Sequence, residues 1–141
     1  MAEICYNNSF ITAISVLKTL IEDFSGITDI YYENIPKSKN EVYPIIDYNM
    51  INSQLVNEQR RSYNFEINIW DNKYENILDL EMLRQNIQNG FTYFNRILTH
   101  NNEKFIFRTL EVNSFNLPTE TDDLRRRQVD IFFEIEMKIK N

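Results

Sequence analysis

Residues 128–140 read QVDIFFEIEMKIK, with Val129, Ile131, Phe133, Ile135, Met137 and Ile139 at every second position. Asp130, Glu134, Glu136, Lys138 and Lys140 stand between them. Successive side chains of a strand project to opposite faces, so the pattern predicts a long strand with one buried face. A helix would scatter the same residues around its circumference. One residue departs from the rule. Phe132 stands on the charged face, where a large aromatic is either covered by a loop or offered to a partner.

A second stretch repeats this design. From Arg60-Arg61 onward, Tyr63, Phe65, Ile67 and Ile69 alternate with Asn64, Glu66, Asn68 and Trp70. Trp70 is again a large aromatic on the polar side. Two further pieces read as extended: residues 27–35 (ITDIYYENI), closed by Pro36, and residues 42–50 (VYPIIDYNM). Pro44 lacks the N–H that an interior strand needs and confines the latter to an edge or a bulge. Residues 36–41 (PKSKNE) form a polar turn, and 52–59 (NSQLVNEQ) a loop or widened hairpin end. After a turn at His100-Asn101-Asn102, residues 104–112 (KFIFRTLEV) predict another strand. An acidic-then-basic connection over 114–127 leads to the closing one.

Two segments carry helical periodicity. Ser9 is placed to cap a helix whose stripe is Ile11, Ile14, Leu17, Leu20, Ile21 and Phe24, with Gly26 just past its end. Thr12, Ser15, Lys18, Thr19 and Glu22 take its other side, and residues 1–8 precede it as a short arm. A second helix starts at Asp71 or Asn72, with Ile77, Leu80, Leu83 or Arg84, Ile87, Phe91, Phe94 and Leu98 at threes and fours. It either stops or kinks near Gly90 or runs on to about Leu98, and the stop near Gly90 is the favoured reading. Runs of strands with two helices predict a single α+β domain over residues 1–141. Its architecture is an antiparallel-rich twisted sheet with both helices on one face.

Bulk composition narrows the function classes. At 141 residues with 43% hydrophobic and 26% charged side chains, the chain has the make-up of a globular domain able to bury roughly two thirds of its unfolded surface. No apolar run approaches the length of a membrane span, and no signal peptide is expected ahead of the first helix. A single cysteine, Cys5, permits no intrachain disulfide and points to a reducing compartment. The net charge of −6 opposes a surface built to grip DNA or acidic lipid. It does not oppose DNA passing by.

The search for chemistry returns little. His100 lies beside two asparagines and reads as a solvated turn residue. Cys5 reads as a packing residue, and no spacing of the two suits zinc. No phosphate-loop, dinucleotide or nucleophile-elbow motif occurs. Asp71, Glu75 and Asp79 complement the start of the second helix, and Glu134 and Glu136 line the outer face of a strand. Asp122 and Asp123 lack the turn glycine of a calcium loop. A non-enzyme is expected, with no catalytic residue, cofactor or metal.

What remains points to contacts between proteins. Interfaces are enriched in aromatics and arginine. Trp70 and Phe132 are therefore candidate subunit-contact residues, against the simpler reading that a helix or loop covers them. Arg125, Arg126 and Arg127 follow the acidic Glu120, Asp122 and Asp123. One copy's arginines would meet another's acidic loop, against the simpler reading of a solvated start to the strand.

The element order, with the strands R-R-x-Y-x-F-x-I-x-I-W-D (Arg60–Asp71) and R-R-x-V-D-I-F-F-E-I (126–135), resembles the tail terminator, or tail completion, proteins of tailed bacteriophages. The likeness is to the lambda-type family and its relatives in phages of Gram-positive hosts. It covers roughly residues 8–140 and rests on those two strands and the order of elements. The resemblance implies a structural virion protein of the tail and neck, assembled in the host cytoplasm without a membrane. Its subunits would close into a hexameric ring on the head-proximal end of the tail tube and end tube polymerisation. Partners would be the tail tube protein and the head-completion or connector protein. Genomic DNA would pass through the lumen without specific binding. The alternative nearest to it is another neck ring, a head-completion or collar protein. A small enzyme or enzyme inhibitor and a nucleic-acid-binding module are rivals of other classes.

Overall fold

A computed structural model describes residues 9–33, 43–71, 77–116 and 125–137. The chain runs α1 (Ser9–Ser25), β1 (Ile30–Tyr32), β2 (Ile45–Leu55), β3 (Arg60–Asp71), α2 (Ile77–Phe91), β4 (Asn95–His100), β5 (Glu103–Asn116) and β6 (Arg125–Met137). Six strands form one sheet in the order β1-β2-β3-β6-β5-β4. The first pair, β1 and β2, is parallel and the other four are antiparallel. The fold is α+β, as the runs of strands with two helices predict.

The two strands of cleanest alternation are the centre of the sheet. β3 and β6 pair without a break from Arg60↔Glu136 to Asp71↔Arg125. Tyr63, Phe65, Ile67 and Ile69 of β3 and Val129, Ile131, Phe133 and Ile135 of β6 are fully buried on one face. Both helices pack there, joining these residues in one core. Phe133 stacks on Phe107 of β5, with centroids 4.5 Å apart, and on Tyr63 at 5.5 Å. Rings at this spacing add dispersion and quadrupole terms to the area they bury.

Helix α1 buries Thr12, Ala13, Val16, Leu17, Leu20 and Ile21. The predicted stripe is thus displaced by part of a turn, leaving Ile11 exposed and Thr12 inside. Tyr48 reaches α1 and donates its hydroxyl to the Ile14 carbonyl at 2.6 Å. Burial raises the Tyr48 hydroxyl pKa well above its ordinary value. Gly26 ends the helix at φ +73, its N–H reaching the Glu22 carbonyl at 2.8 Å. A left-handed residue here is what glycine allows at low strain. Helix α2 buries Leu80, Ile87 and Phe91 and ends one residue past Gly90. Gly90 is where α1 comes close: a Cβ there would clash with the Phe24 ring at its Cγ.

Several expectations need correction. The extended piece at 27–35 forms only the three-residue β1, and residues 34–41 lie outside the described set. Pro44 precedes β2, so it marks neither an edge nor a bulge. β2 is an interior strand at its start, and its register shift comes later, between Met50 and Asn52. The first half of 52–59 is strand, with β2 running to Leu55, and the second half is the connection to β3 that the sequence suggests. Residues 72–76, where the second helix was expected to begin, are outside the described set. Asn95–His100, read as a possible tail of α2, is the separate strand β4. Both turn residues after it, Asn101 and Asn102, are left-handed (φ 50 and 65), as a two-residue hairpin turn requires. The connection at 114–127 is strand at both ends, where Asn116 pairs with Arg127, and residues 117–124 lie outside the described set.

Candidate subunit interface

No described helix lies on the second face of the sheet, where the polar positions of β3 and β6 project. Strand alternation sorts the three consecutive arginines at once. Arg126 stands on this open face, directly opposite Trp70. Arg125 and Arg127 turn to the helix side. There Arg125 is opposite Asp71 and Arg127 forms an ion pair with Glu81 of α2, which also holds Arg84.

Trp70 and Arg126 belong to a small network. The indole Nε1–H of Trp70 donates to Asp47 Oδ2 at 2.7 Å, and Asn68 Nδ2 donates to Asp47 Oδ1 at 2.8 Å. Asp47, on β2, is 7% exposed and Asn68 4%. A carboxylate this sheltered requires donors, and here neutral N–H groups supply them. The Arg126 guanidinium lies over the indole, 5.1 Å from its centroid. The edge of Trp70 is therefore fixed within its own chain while its face carries a cation. The residue stays half-buried.

Phe132 is not part of this cluster. It pairs across to Asn64 of β3 and Glu111 of β5, beside the bulge that leaves Leu110 exposed. Six residues of strand separate it from Arg126, about 20 Å at strand rise. Between them Glu66 faces Asp130 across the β3–β6 ladder. Asn49 Nδ2 donates to Glu66 Oε1 at 3.3 Å and Gln128 Nε2 to Asp130 Oδ1 at 2.7 Å. Like charges directly opposite are unfavourable, and the amides offset part of that. Beyond Phe132, Glu134 is buried and binds Arg108 and Arg60. Glu136 binds Arg60 at 3.4 Å. The open face thus runs from an aromatic–arginine end, through an acidic amide-lined middle, to an ion-paired end.

Of the eight residues singled out in the sequence, Trp70 and Arg126 come together and Phe132 shares their face at a distance. Arg125 and Arg127 point the other way. Glu120, Asp122 and Asp123 lie outside the described residues. Sequence reasoning missed Asp47, which organises the Trp70 end. Its one signal was a lone acid inside an apolar stretch, PIIDY.

Two depressions of about 220 and 280 Å³ adjoin the helix side of β4, and His100 lines both. Val16 and Leu20 of α1 and Leu98 of β4 line the larger one. Among the described residues no three metal-ligating side chains converge, and no helix is long and apolar enough to cross a membrane.

No protein-family model and no curated protein matches the chain. Solved structures do. A chain that carries no functional name superposes with a TM-score of 0.54 at 10% identity, over 91% of this chain and 97% of that one. A chain from the virion of a native gene transfer agent particle aligns with a TM-score of 0.45 at 10% identity, over 83% of each. What the first of these establishes is a shared fold across nearly the whole chain.

Proposed function

We propose that this chain is a structural virion protein of a tailed phage. It forms a hexameric ring at the head-proximal end of the tail tube, where it ends tube polymerisation and joins the tail to the head connector. The observation that carries the reading is the placement of the two strands on which the sequence resemblance rests. Arg60–Asp71 and the strand beginning at Arg125 are the central pair of the sheet, in register along their whole length. They display a tryptophan–arginine pair at one end of a face that no described helix covers.

Such a role requires surfaces that repeat around an axis and no bond-making, so no residue is assigned to catalysis, a cofactor or a metal. A heterologous contact closes into a ring when its rotation returns to the start. The tail tube protein and the head-completion or connector protein would meet the two ends of that ring. An acidic chain would let genomic DNA pass without holding its phosphates. No membrane takes part, and assembly would occur in the host cytoplasm.

The test is deletion of the gene from the phage that carries it, with the particles viewed by electron microscopy. Overlong tails without heads are expected. Tails of normal length would contradict the terminator role, and defective heads beside them would place the protein in another neck ring.

A further inference from the structure

Among the described residues the sheet has two open edges, and they are complementary. β1 covers β2 only as far as Tyr48, so the second half of β2 has no strand partner on that side among the described residues. At the other end of the sheet, β4 pairs with β5 alone. Its two-residue turn makes His100 and Glu103 the closing hydrogen-bonded pair. By alternation Leu98 and Arg96 also bond to β5, leaving the N–H and C=O of Ile97 and Thr99 directed outward. Natural edges are usually blunted by lysine, proline or inward charge. The sequence INSQLV at 51–56 has none of these, its one irregularity is the register shift at Ile51, and Ile51, Leu55 and Val56 are about half exposed (48%, 47% and 50%). Ile97 on β4 is 58% exposed.

We infer that the open half of β2 in one copy adds as a strand to β4 of the next copy. The sheet then continues from subunit to subunit. This deepens the ring reading and rests on it. Three features favour a second copy as the occupant. The two edges are of similar length and lie on opposite sides of one sheet, which makes the contact heterologous. Leu55 projects on the helix side, the side on which the depression floored by Val16, Leu20 and Leu98 adjoins β4. An apolar side chain on one edge thus meets a hollow beside the other. Charge also matches: exposed Glu33 and Glu58 flank the β2 edge, and exposed Arg96 and Lys104 flank the β4 edge, with half-buried Glu103 next to Lys104. That match holds for either strand direction.

Cysteine cross-linking in a Cys5→Ser background tests it. Asn52→Cys and Gln54→Cys place thiols on the open face of β2, and Ile97→Cys and Thr99→Cys place them on the same face of β4. Each β2 variant is mixed with each β4 variant, assembled and oxidised. Disulfide-linked chains are expected in at least one mixture and in no singly substituted protein. Rings without a mixed cross-link would overturn the edge contact and leave the ring reading standing. Cross-links within one variant alone would replace it by a two-fold contact. A chain that stays monomeric in solution and at the tube end would overturn both. As a second measurement, Ile97→Pro removes an outward N–H and no β4–β5 bond, as edge strands tolerate. It should abolish the ring while the circular dichroism of the subunit is unchanged; a persisting ring would count against the inference.

Discussion

The two faces of the β3–β6 pair are built from the same twelve-residue ladder and are held by different forces. On the helix side, Tyr63, Phe65, Ile131 and Phe133 lose all contact with water, and the rings of Tyr63 and Phe65 pack against that of Phe133. On the open side, Asp47, Asn68 and Glu134 are nearly as buried, yet each is there because a polar partner meets it. Burial on the first face is non-directional and scales with area. On the second it depends on individual hydrogen bonds whose loss leaves a donor or a charge stranded. The first face makes the domain stable, and the second fixes how its exposed groups are presented.

That contrast breaks most visibly at Phe133. Phe133→Ala should cost about 3–5 kcal/mol, read as a lowered midpoint of urea unfolding, because it leaves a cavity between Phe107 and Tyr63. Asp47→Ala should cost about 1–3 kcal/mol by stranding the Trp70 and Asn68 donors. If it is neutral, the open face is not held by that network. Gly90→Ala sets helix propensity against the close approach of α1. The Phe24 ring blocks the new methyl, so a net loss of about 1–2 kcal/mol is expected despite alanine's better propensity. Arg126→Glu should change subunit stability by less than about 1 kcal/mol, because the cation over Trp70 is half exposed. Its effect should appear in assembly, weakened more at low salt than at high, since salt already screens exposed charge. Equal weakening at both would assign Arg126 a packing role.

Alkaline titration gives a finer comparison. Tyr48 is neutral when it donates to Ile14, and its folded pKa is raised by burial. Its contribution is fully present below the ordinary tyrosine value near 10 and is lost as pH rises above it. Stability measured through that range should fall, and Tyr48→Phe should flatten the fall.

How much of this was legible depended on how many neighbours each segment has. β3 and β6 are covered on one face and paired on both sides, so their alternation is nearly perfect and the sequence shows it. β4 is paired on one side only and half exposed. With Phe91, Phe94 and Leu98 spaced at threes and fours, NRILTH passed for a continuation of α2. In the outer half of β2 the register shift between Met50 and Asn52 breaks the alternation at Ile51, and Asn52, Ser53 and Gln54 follow, which made a strand read as a loop. In α1 the displaced stripe follows from Thr12 turning inward where Ile11 was expected. At the candidate interface, Trp70 was visible as an aromatic out of phase. Asp47 was not, since the partner that gives it meaning lies 23 residues away. The split of Arg125, Arg126 and Arg127 between faces needed only the strand's true start, three residues before the stretch 128–140 that shows the alternation.

The mass of the purified protein in solution, with an electron micrograph of the same sample, tests the central claim most directly. A closed ring of six 17.0 kDa subunits with an open centre is predicted. A single 17.0 kDa particle at every concentration, both free and with tail tubes added, would contradict it.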